Sequence, residues 1–256
     1  MSNSTAYFIS DAHLGINLGS ADHREADLRS WLRTIAADAD FLFIVGDLFD
    51  FWIEYKTVIR LAYVPFLLEL QHLVDSGVQV HYIAGNHDFA LGSFLQNTMG
   101  ITIHTNSYET VLQDKKIYLF HGDGLLKADV GYRILKKILR NPLNQKLFKL
   151  IHPDAAIKLA TFCSGSSRHL LSKFFNNQIR DEYRQHAKKI LAQGNDIVIL
   201  GHTHHADLVK YPEGIYCNTG EWIKRYNYAR LHNGRLELFE STPGTAMQPI
   251  APESIL

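Results

Sequence analysis

Residues 197–204 read IVILGHTH, a short apolar run that ends in a glycine and two histidines. Branched apolar residues in direct succession are typical of a strand that is buried on both faces. The same arrangement, a strand-like run followed by side chains that can bind a metal ion, occurs at several earlier places in the chain. The sequence therefore predicts buried strands at residues 6–10, 41–45, 78–84, 117–120 and 197–200.

Segments with helical periodicity lie between the first three of these strands. Apolar residues recur at helical spacing between Leu28 and Ile35, and again between Val64 and Leu73. Strand and helix thus alternate, which indicates an α/β fold with a parallel or mixed sheet. Later strand-like runs predict a second sheet or hairpins at 214–217, 228–231 and 235–240.

The strand signal disappears between Leu125 and Leu191, where amphipathic helical patterns follow one another. We interpret this stretch as a helical cap inserted into an α/β core. The chain ends in a polar stretch with several prolines, which is typical of a loose terminus. The predicted division is a core at 1–124 and 191–242, a cap at 125–190 and a flexible tail at 243–256.

The overall composition excludes several classes of protein. With 256 residues, 46% hydrophobic and 20% charged, the chain can bury a large core, which argues against general disorder. It contains no run of about 18 apolar residues and no secretory signal pattern, so a cytoplasmic location is predicted. Cys163 and Cys217 are too few for a disulfide framework, and we expect reduced thiols without a metal or redox role.

The net charge is zero, but the charge is unevenly distributed. Within residues 125–190, lysines and arginines far outnumber aspartates and glutamates, with Leu, Ile and Phe between them. Such a basic and apolar segment suits an anionic ligand, an anionic membrane surface or nucleic acid, and the sign alone does not choose among them. A solvated helix face is the alternative interpretation.

Polar clusters follow the five predicted buried strands. Because ligands bind outside the carboxyl ends of strands in open α/β sheets, we expect these clusters to converge at one edge. A single histidine is more often a surface or core residue, but the joint placement of the clusters favours a metal site. The clusters are Asp11-Ala12-His13, Gly46-Asp47, Gly85-Asn86-His87-Asp88, His121-Gly122-Asp123 and Gly201-His202-Thr203-His204.

The donor types indicate which ions the clusters would bind. Imidazole, carboxylate and one amide oxygen, without thiolate, favour Mn²⁺, Fe or Zn²⁺ in a catalytic site over a structural zinc. So many ligands fit two ions roughly 3.5–4 Å apart better than one, with Asp47 shared, and such a pair lowers the pKa of a bridging water towards about 7. Asp11, His13 and His204 would complete one site, and Asn86, His121 and His202 the other.

The five clusters in this order resemble the signature of the calcineurin-like metallophosphoesterases: D-x-H, G-D, G-N-H-D/E, a lone His and G-H-x-H. The resemblance covers roughly residues 6–240, and five ordered blocks are far more specific than any one of them. It implies a four-layer α/β/β/α sandwich with a helical cap and with the metal ions at one edge. It also implies the same ligand roles as those given above.

A narrower resemblance is carried by residues 46–53 (GDLFDFWI), 85–89 (GNHDF) and 121–125 (HGDGL), with Asp129 and Tyr132. These segments are similar to the UDP-2,3-diacylglucosamine diphosphatases of lipid A synthesis. That group implies a cap that holds acyl chains, and attack of water on the α-phosphorus to give UMP and 2,3-diacylglucosamine 1-phosphate. This sequence departs from the group at His87, where many members have Arg, and at His205-Ala206, where Arg-Pro is usual.

The resemblance also implies site residues and partners. His87 is expected to be catalytic, two Mn²⁺ ions are the expected cofactors, and the partners are a nucleotide-diphospho-lipid and the inner face of the cytoplasmic membrane. Nucleic acid is not expected, because it would need a long basic groove with exposed aromatic side chains. Asp50, Asp88 and Asp123 would either orient imidazoles or stabilise turns. The expected substrate contacts are Asn86, His87, Asp129, Ser167, Arg168, Lys173 and His202.

Two other functions compete with this interpretation. A soluble phosphodiesterase or phosphatase that acts on a cyclic nucleotide, phosphoprotein or nucleic acid would use the same metal centre with a different cap. A non-catalytic scaffold on the same fold is disfavoured because every ligand position is filled.

Overall fold

Two mixed β-sheets stacked face to face form the centre of the fold. They are seen in a computed structural model of the chain, which describes residues 4–16, 23–159 and 176–255. The first sheet has seven strands and the second has six. Side chains such as Phe8, Phe43 and Ile199 fill the space between the sheets and are fully buried. Burial on both faces explains the continuous apolar runs in the sequence.

The first sheet contains the N-terminal strands and the last hairpin. Its strands are β1 (Ala6–Ile9), β2 (Phe41–Val45), β3 (Gln79–Ile83), β4 (Thr102–His104), β10 (Tyr228–His232), β11 (Arg235–Glu240) and β12 (Gln248–Ile250). The strand order is β12-β11-β10-β1-β2-β3-β4, with β1 to β4 parallel and the other pairings antiparallel.

The second sheet is formed by the later part of the chain. Its strands are β5 (Tyr108–Leu112), β6 (Lys115–Leu119), β7 (Ile197–Leu200), β8 (Ala206–Tyr211), β9 (Gly214–Thr219) and β13 (Glu253–Ser254). The order is β13-β8-β9-β7-β6-β5, in which β6, β7 and β9 are parallel to one another. Strands β3, β6, β7, β9, β10 and β11 match their predicted positions to within a few residues, and β10 and β11 extend the first sheet.

Helices cover both outer faces of the stacked sheets. The helices are α1 (Arg24–Ile35), α2 (Val64–Asp75), α3 (Val130–Leu139), α4 (Pro142–Phe148), α5 (described at 153–159) and α6 (Asn177–Leu191). The predicted apolar stripe of α1, including Leu28 and Leu32, is buried together with α2 against the first sheet. Helix α6 packs on the second sheet through Tyr183, Ala187 and Ile190. These layers confirm the predicted α/β/β/α arrangement.

The cap is shorter in the structure than the sequence predicted. Helices α3 and α4 contain no buried residue and lie outside the sandwich. Helix α6 was predicted to belong to the cap at 125–190, but its apolar stripe makes it part of the outer layer. Within the described residues, the cap therefore comprises 125–159. Cys163, Ser167, Arg168 and Lys173 lie outside the described residues.

The predicted flexible tail also requires correction. Within residues 243–255, β12 pairs with β11 and β13 pairs with β8, so the segment extends the edge of each sheet. The carboxylate of Glu253 also accepts a hydrogen bond of 2.7 Å from Arg184. Pro249 does not prevent this pairing because β12 is an edge strand, where proline is tolerated. The prolines predicted a flexible segment, but pairing with the edge strands of both sheets orders it.

Over 4–16, 23–159 and 176–255, none of the helices combines the length and the apolar character needed to cross a bilayer.

Candidate metal centre

The predicted ligand residues meet where the carboxyl ends of strands from both sheets adjoin. Asp11 follows β1 and Asp47 follows β2 in the first sheet, while His121 follows β6 and His202 follows β7 in the second. The loops are tied together, since the Asp11 N–H donates to the Gly46 carbonyl at 3.1 Å and the His13 N–H to the Asp47 carbonyl at 2.9 Å. The convergence expected at one sheet edge therefore takes place between two stacked sheets.

The first group of potential ligands is Asp11, His13 and His204. Their donor atoms all lie within 4.8 Å of one another. His204 Nε2 is 3.5 Å from Asp11 Oδ1 and 3.3 Å from His13 Nε2. This spacing would let the three donors face a common ion.

The second group consists of Asp47, His121, His202 and Asn86. His121 Nε2 lies 3.3 Å from Asp47 Oδ2, 2.9 Å from Asn86 Oδ1 and 3.2 Å from His202 Nδ1. Asp47 Oδ2 is also 3.7 Å from His13 Nε2 in the first group. Asp47 thus lies between the groups, where a ligand shared by two ions would have to lie.

The backbone at these positions adopts an uncommon conformation. The left-handed region is sparsely populated by non-glycine residues, and such conformations cluster at functional sites. The φ angles are 52° at Asp11, 44° at His13, 53° at Asp47, 71° at His202 and 59° at His204.

The ionisation of Asp47 and His202 suits a bound cation, whereas His121 would have to lose a proton. Burial raises the pKa of Asp47, but His121 and His87 outweigh it and hold this pKa well below its usual range. Burial and His121 lower the pKa of His202 to about 3, so it is neutral. Burial acts against the charged form of His121, but Asp47 raises its pKa to about 10. Metal binding requires deprotonated ligands, so an ion would displace this proton.

One ligand atom has no hydrogen-bond donor within the described part of the chain. Asp11 Oδ1 is buried, while Oδ2 of the same carboxylate accepts hydrogen bonds from Ser10 Oγ and, at 2.9 Å, from the His202 N–H. A buried carboxylate oxygen without a donor is unfavourable unless a cation compensates it. This oxygen and the nitrogen and oxygen donors around it fit divalent metal ions.

Two glycines permit the close packing of the site. A Cβ at Gly85 would lie 2.0 Å from Asp47 Oδ1. A Cβ at Gly46, where φ is +82°, would lie 2.4 Å from His121 Nδ1. Any larger residue at either position would push a ligand side chain out of place.

The three aspartates near the ligands have different roles. Asp50 Oδ1 lies 3.6 Å from His13 Nδ1, beside an imidazole. Asp88 instead accepts backbone N–H groups from Gly85 at 2.9 Å and Asp47 at 3.2 Å, so it stabilises the loops. Burial, with the charge of Asp47, raises the pKa of Asp88 to about 6. Asp123 contacts helix α3.

Sequence reasoning missed Glu221. Its Oε2 lies 3.2 Å from His204 Nδ1, where it can fix the orientation of that ring. The chain reads Thr219-Gly220-Glu221 at the end of β9, which repeats the pattern of a strand followed by glycine and a carboxylate. That pattern could have identified Glu221 from the sequence.

His87 lies beside the metal-ligand groups and is 8% exposed. Its Nδ1 is 3.0 Å from the Asp50 carbonyl oxygen, so a proton on Nδ1 donates there and leaves Nε2 directed at the site. Nε2 is 3.9 Å from Asp47 Oδ2. His87 also forms a potential ligand group with His13 and Asp47, so its geometry allows either a metal contact or a substrate contact.

Asp129, predicted as a substrate contact, directly precedes α3. It is partly exposed, and its backbone N–H donates to the Leu126 carbonyl at 3.1 Å. Burial raises the pKa of its carboxyl. The Asp129 carbonyl accepts the Arg133 N–H of α3 at 2.8 Å, so the backbone contacts of Asp129 are with the turn before α3 and with the first turn of that helix.

An apolar cavity of 280 Å³ lies next to the metal-binding loops. Phe51 and Phe89, each directly after an aspartate of those loops, form one wall, and Ile138, Leu139 and Phe148 of the cap form the other. Phe51 also lines a larger cavity of 630 Å³, which reaches the start of α5. Apolar space therefore lies between the cap and the residues that follow Asp50 and Asp88.

Comparison with known proteins identifies the family. The family profile named calcineurin-like phosphoesterase matches residues 5–206. This chain belongs to that family. The prediction of a metal-dependent phosphoesterase of this family is therefore confirmed.

Two relatives of the phosphoesterase extend this result. A UDP-2,3-diacylglucosamine hydrolase from Porphyromonas gingivalis is 32% identical over 257 residues, covering 93% of this chain and 97% of the relative. A protein of the same name from Neisseria meningitidis is 34% identical over 225 residues, covering 86% and 91%. Among solved structures, Vacuolar Protein Sorting 29 from Cryptosporidium parvum has a TM-score of 0.48 at 15% identity, covering 97% of this chain and 98% of that one.

Proposed function

We propose that this phosphoesterase hydrolyses UDP-2,3-diacylglucosamine to UMP and 2,3-diacylglucosamine 1-phosphate. The observation that carries the proposal is the apolar cavity that opens beside the metal-binding loops. A site for a small polar phosphodiester would have no use for that much apolar surface. The names of the two relatives support the same substrate.

The cap supplies affinity for the lipid part of the substrate. Each methylene group buried in the cavities contributes about 0.8 kcal/mol, so acyl chains add strongly to binding. The cap also exposes Leu143, Leu147 and Leu150 near Lys146 and Lys149. Apolar and basic side chains together favour contact with an anionic membrane, here the inner face of the cytoplasmic membrane.

The ligand groups supply the chemistry. Two divalent ions, when bound, would supply Lewis-acid chemistry at the phosphoryl group and would lower the pKa of a water molecule towards neutrality. The donor set of nitrogen and oxygen atoms without thiolate suits Mn²⁺. One ion would be held by Asp11, His13 and His204, the other by Asn86, His121 and His202, and both by Asp47.

His87 acts on the substrate in this proposal. The Asp50 carbonyl accepts a hydrogen bond from the Nδ1–H of His87, which holds the ring in place. Nε2 then faces the reacting phosphate and, when protonated, donates a hydrogen bond to a phosphoryl oxygen or a proton to the leaving oxygen. Preorganised donors of this kind stabilise the charge that develops in the transition state.

Product analysis tests the proposal. Protein loaded with Mn²⁺ is incubated with UDP-2,3-diacylglucosamine, and the released nucleotide is separated by chromatography. We expect UMP, because hydrolysis at the α-phosphorus leaves one phosphate on each product. Release of UDP, or no release, would contradict the proposal.

A cavity variant tests the role of the apolar wall. The double variant Ile138→Ser and Phe148→Ser should lose activity on the diacylated substrate by about tenfold or more while hydrolysing bis(p-nitrophenyl) phosphate normally. The matched control is Leu68→Ser, at an exposed apolar residue of α2. Equal effects on both substrates would contradict the assignment of this wall to the acyl chains.

A further inference from the structure

Helix α3 turns polar side chains towards the core, while several of its apolar side chains remain exposed. Tyr132, Lys136 and Arg140 are spaced four residues apart and therefore lie along one face of the helix. All three contact the loops that carry metal ligands. Ile134 and Leu135 on other faces are 57% and 48% exposed. This orientation is the reverse of an ordinary surface helix, so the polar face has a specific role.

The first half of this face holds the loop after β6. Tyr132 Oη donates to Asp123 Oδ2 at 2.7 Å, and Lys136 Nζ lies 2.6 Å from the same oxygen. Asp123 is buried and lies two residues after His121. The helix is thereby fixed to the ligand loop of the second sheet.

The other end of the face holds the loop after β3. One terminal nitrogen of Arg140 donates to the Gly85 carbonyl at 3.0 Å, and the other donates to the Thr105 carbonyl at 2.9 Å. The guanidinium carbon lies 6.0 Å from the centre of the Phe89 ring. Arg140 thus spans the ends of β3 and β4 in the first sheet.

The Gly85 carbonyl is a sensitive point of the site. It belongs to the same planar peptide unit as the Asn86 N–H, so holding the carbonyl sets the direction in which the chain enters Asn86. The Gly85 N–H is held from the other side by Asp88. The Cα of Gly85 has no room to move towards Asp47, since even a Cβ there would overlap Oδ1. The position of Asn86 Oδ1, 2.9 Å from His121 Nε2, depends on this peptide.

We propose that Arg140 is a positioning residue that orients the Gly85–Asn86 peptide for metal binding. Through Ile138 and Leu139, which line the apolar cavity directly before Arg140, the same helix connects the lipid site to the metal centre. The connection to lipid rests on the proposed function, whereas the action of Arg140 on Asn86 rests on the hydrogen bonds alone.

The test measures metal binding separately from catalysis. In Arg140→Ala, calorimetric titration with Mn²⁺ should show one of the two ions bound about 10–100-fold more weakly, as expected on loss of a group that orients a ligand. In the metal-free protein, amide exchange at Asn86 and His87 should become faster. With bis(p-nitrophenyl) phosphate at the wild-type Mn²⁺ concentration, kcat should fall while KM stays within about twofold.

Two variants and a rescue separate positioning from general damage. Arg140→Lys can reach only one of the two carbonyls at a time. It should fold, and its Mn²⁺ affinity should lie between those of the wild type and Arg140→Ala. Methylguanidinium should partly restore Mn²⁺ affinity to Arg140→Ala, which a misfolded protein would not show. The matched control is Lys137→Ala, at an exposed neighbouring residue of α3.

Wild-type Mn²⁺ affinity and wild-type exchange in both Arg140 variants would overturn the inference. A loss of Mn²⁺ affinity in Lys137→Ala as large as that in Arg140→Ala would also overturn it. The outcome is independent of the proposed substrate: if the wild type failed to release UMP from the diacylated nucleotide, the Mn²⁺ titration would still decide the role of Arg140.

Discussion

Asp47 connects the two ligand groups because one of its carboxylate oxygens faces both His121 and His13. The same carboxylate accepts the His87 N–H through Oδ1 at 2.9 Å. A single side chain therefore fixes the two groups and the neighbouring His87 relative to one another. A change at Asp47 would therefore affect both ligand groups at once, whereas a change at His87 can separate metal binding from turnover.

His87→Ala should keep both metal ions and lose turnover by about 10²-fold or more, which is the usual contribution of a positioned proton donor. The reason is that its Nδ1 is held by a carbonyl, which leaves Nε2 for substrate. Elemental analysis and kcat decide the prediction, with His205→Ala as the control at an exposed histidine. If the variant bound only one ion, His87 would be a metal ligand instead.

The convergence of the predicted ligand residues could be foreseen because each cluster directly follows a buried strand, and strand ends converge in space. Their role as metal ligands stays a prediction. Glu221 and Arg140 were missed for a physical reason. Glu221 acts through His204, and Arg140 acts through a backbone carbonyl that is distant in the sequence. Such contacts depend on how elements pack, which residue types alone do not specify.

At the scale of single elements, the edge of the first sheet carries a stack of rings. His104 lies on β4 with its ring 3.7 Å from that of Tyr108, and its Nε2 is 3.0 Å from His81 Nδ1. Burial and the neighbouring His81 lower the pKa of His104 to about 4. Burial also lowers the pKa of His81.

This stack predicts a pH dependence of stability. The unfolded chain binds a proton at His104 near the ordinary pKa of 6.5, while the folded protein resists protonation down to about 4. Neutral His104 therefore makes its full contribution to the free energy of unfolding above pH 6.5, and this contribution is lost progressively as the pH falls towards about 4.

His104→Phe keeps a ring in the stack and removes this titration. The free energy of unfolding in urea should fall less between about pH 7 and about pH 5 in the variant than in the wild type. His72→Phe, at an exposed histidine of α2, is the matched control. If the free energy of unfolding of His104→Phe depended on pH as in the wild type, His104 would not be a source of that pH dependence.

Buried and exposed strands differed in how well the sequence predicted them. Strands β1, β2 and β7 were located from continuous apolar runs because both of their faces are covered. Strands β4, β5 and β8 were missed because they are short or partly exposed and contain polar residues. Helix α3 was predicted, but the direction of its faces was not, since an amphipathic pattern does not reveal that the polar face points inward.

At the scale of the whole molecule, the C-terminal segment joins the two sheets. Within a few residues of each other, β12 extends the first sheet and β13 extends the second, at the outer strand of each. Arg184 of α6 then links Asp207 on β8 and Glu253 on β13. One short segment therefore contacts three of the four layers.

Truncation after residue 245 should lower the free energy of unfolding by clearly more than Glu253→Gln does. The Glu253 side chain is 54% exposed, and an ion pair that water screens contributes little to stability. Truncation in addition removes the backbone pairing of two strands and exposes both sheet edges. Urea unfolding of the three proteins measures the difference, and equal losses would assign the stabilisation to the ion pair alone.

The left-handed backbone at Asp11, His13, Asp47, His202 and His204 has an evolutionary consequence. Each such residue is less stable in this conformation than glycine by roughly 1 kcal/mol, because a Cβ crowds the carbonyl that follows it. Selection for folding alone would therefore replace these side chains by glycine or asparagine, whereas selection for turnover retains them.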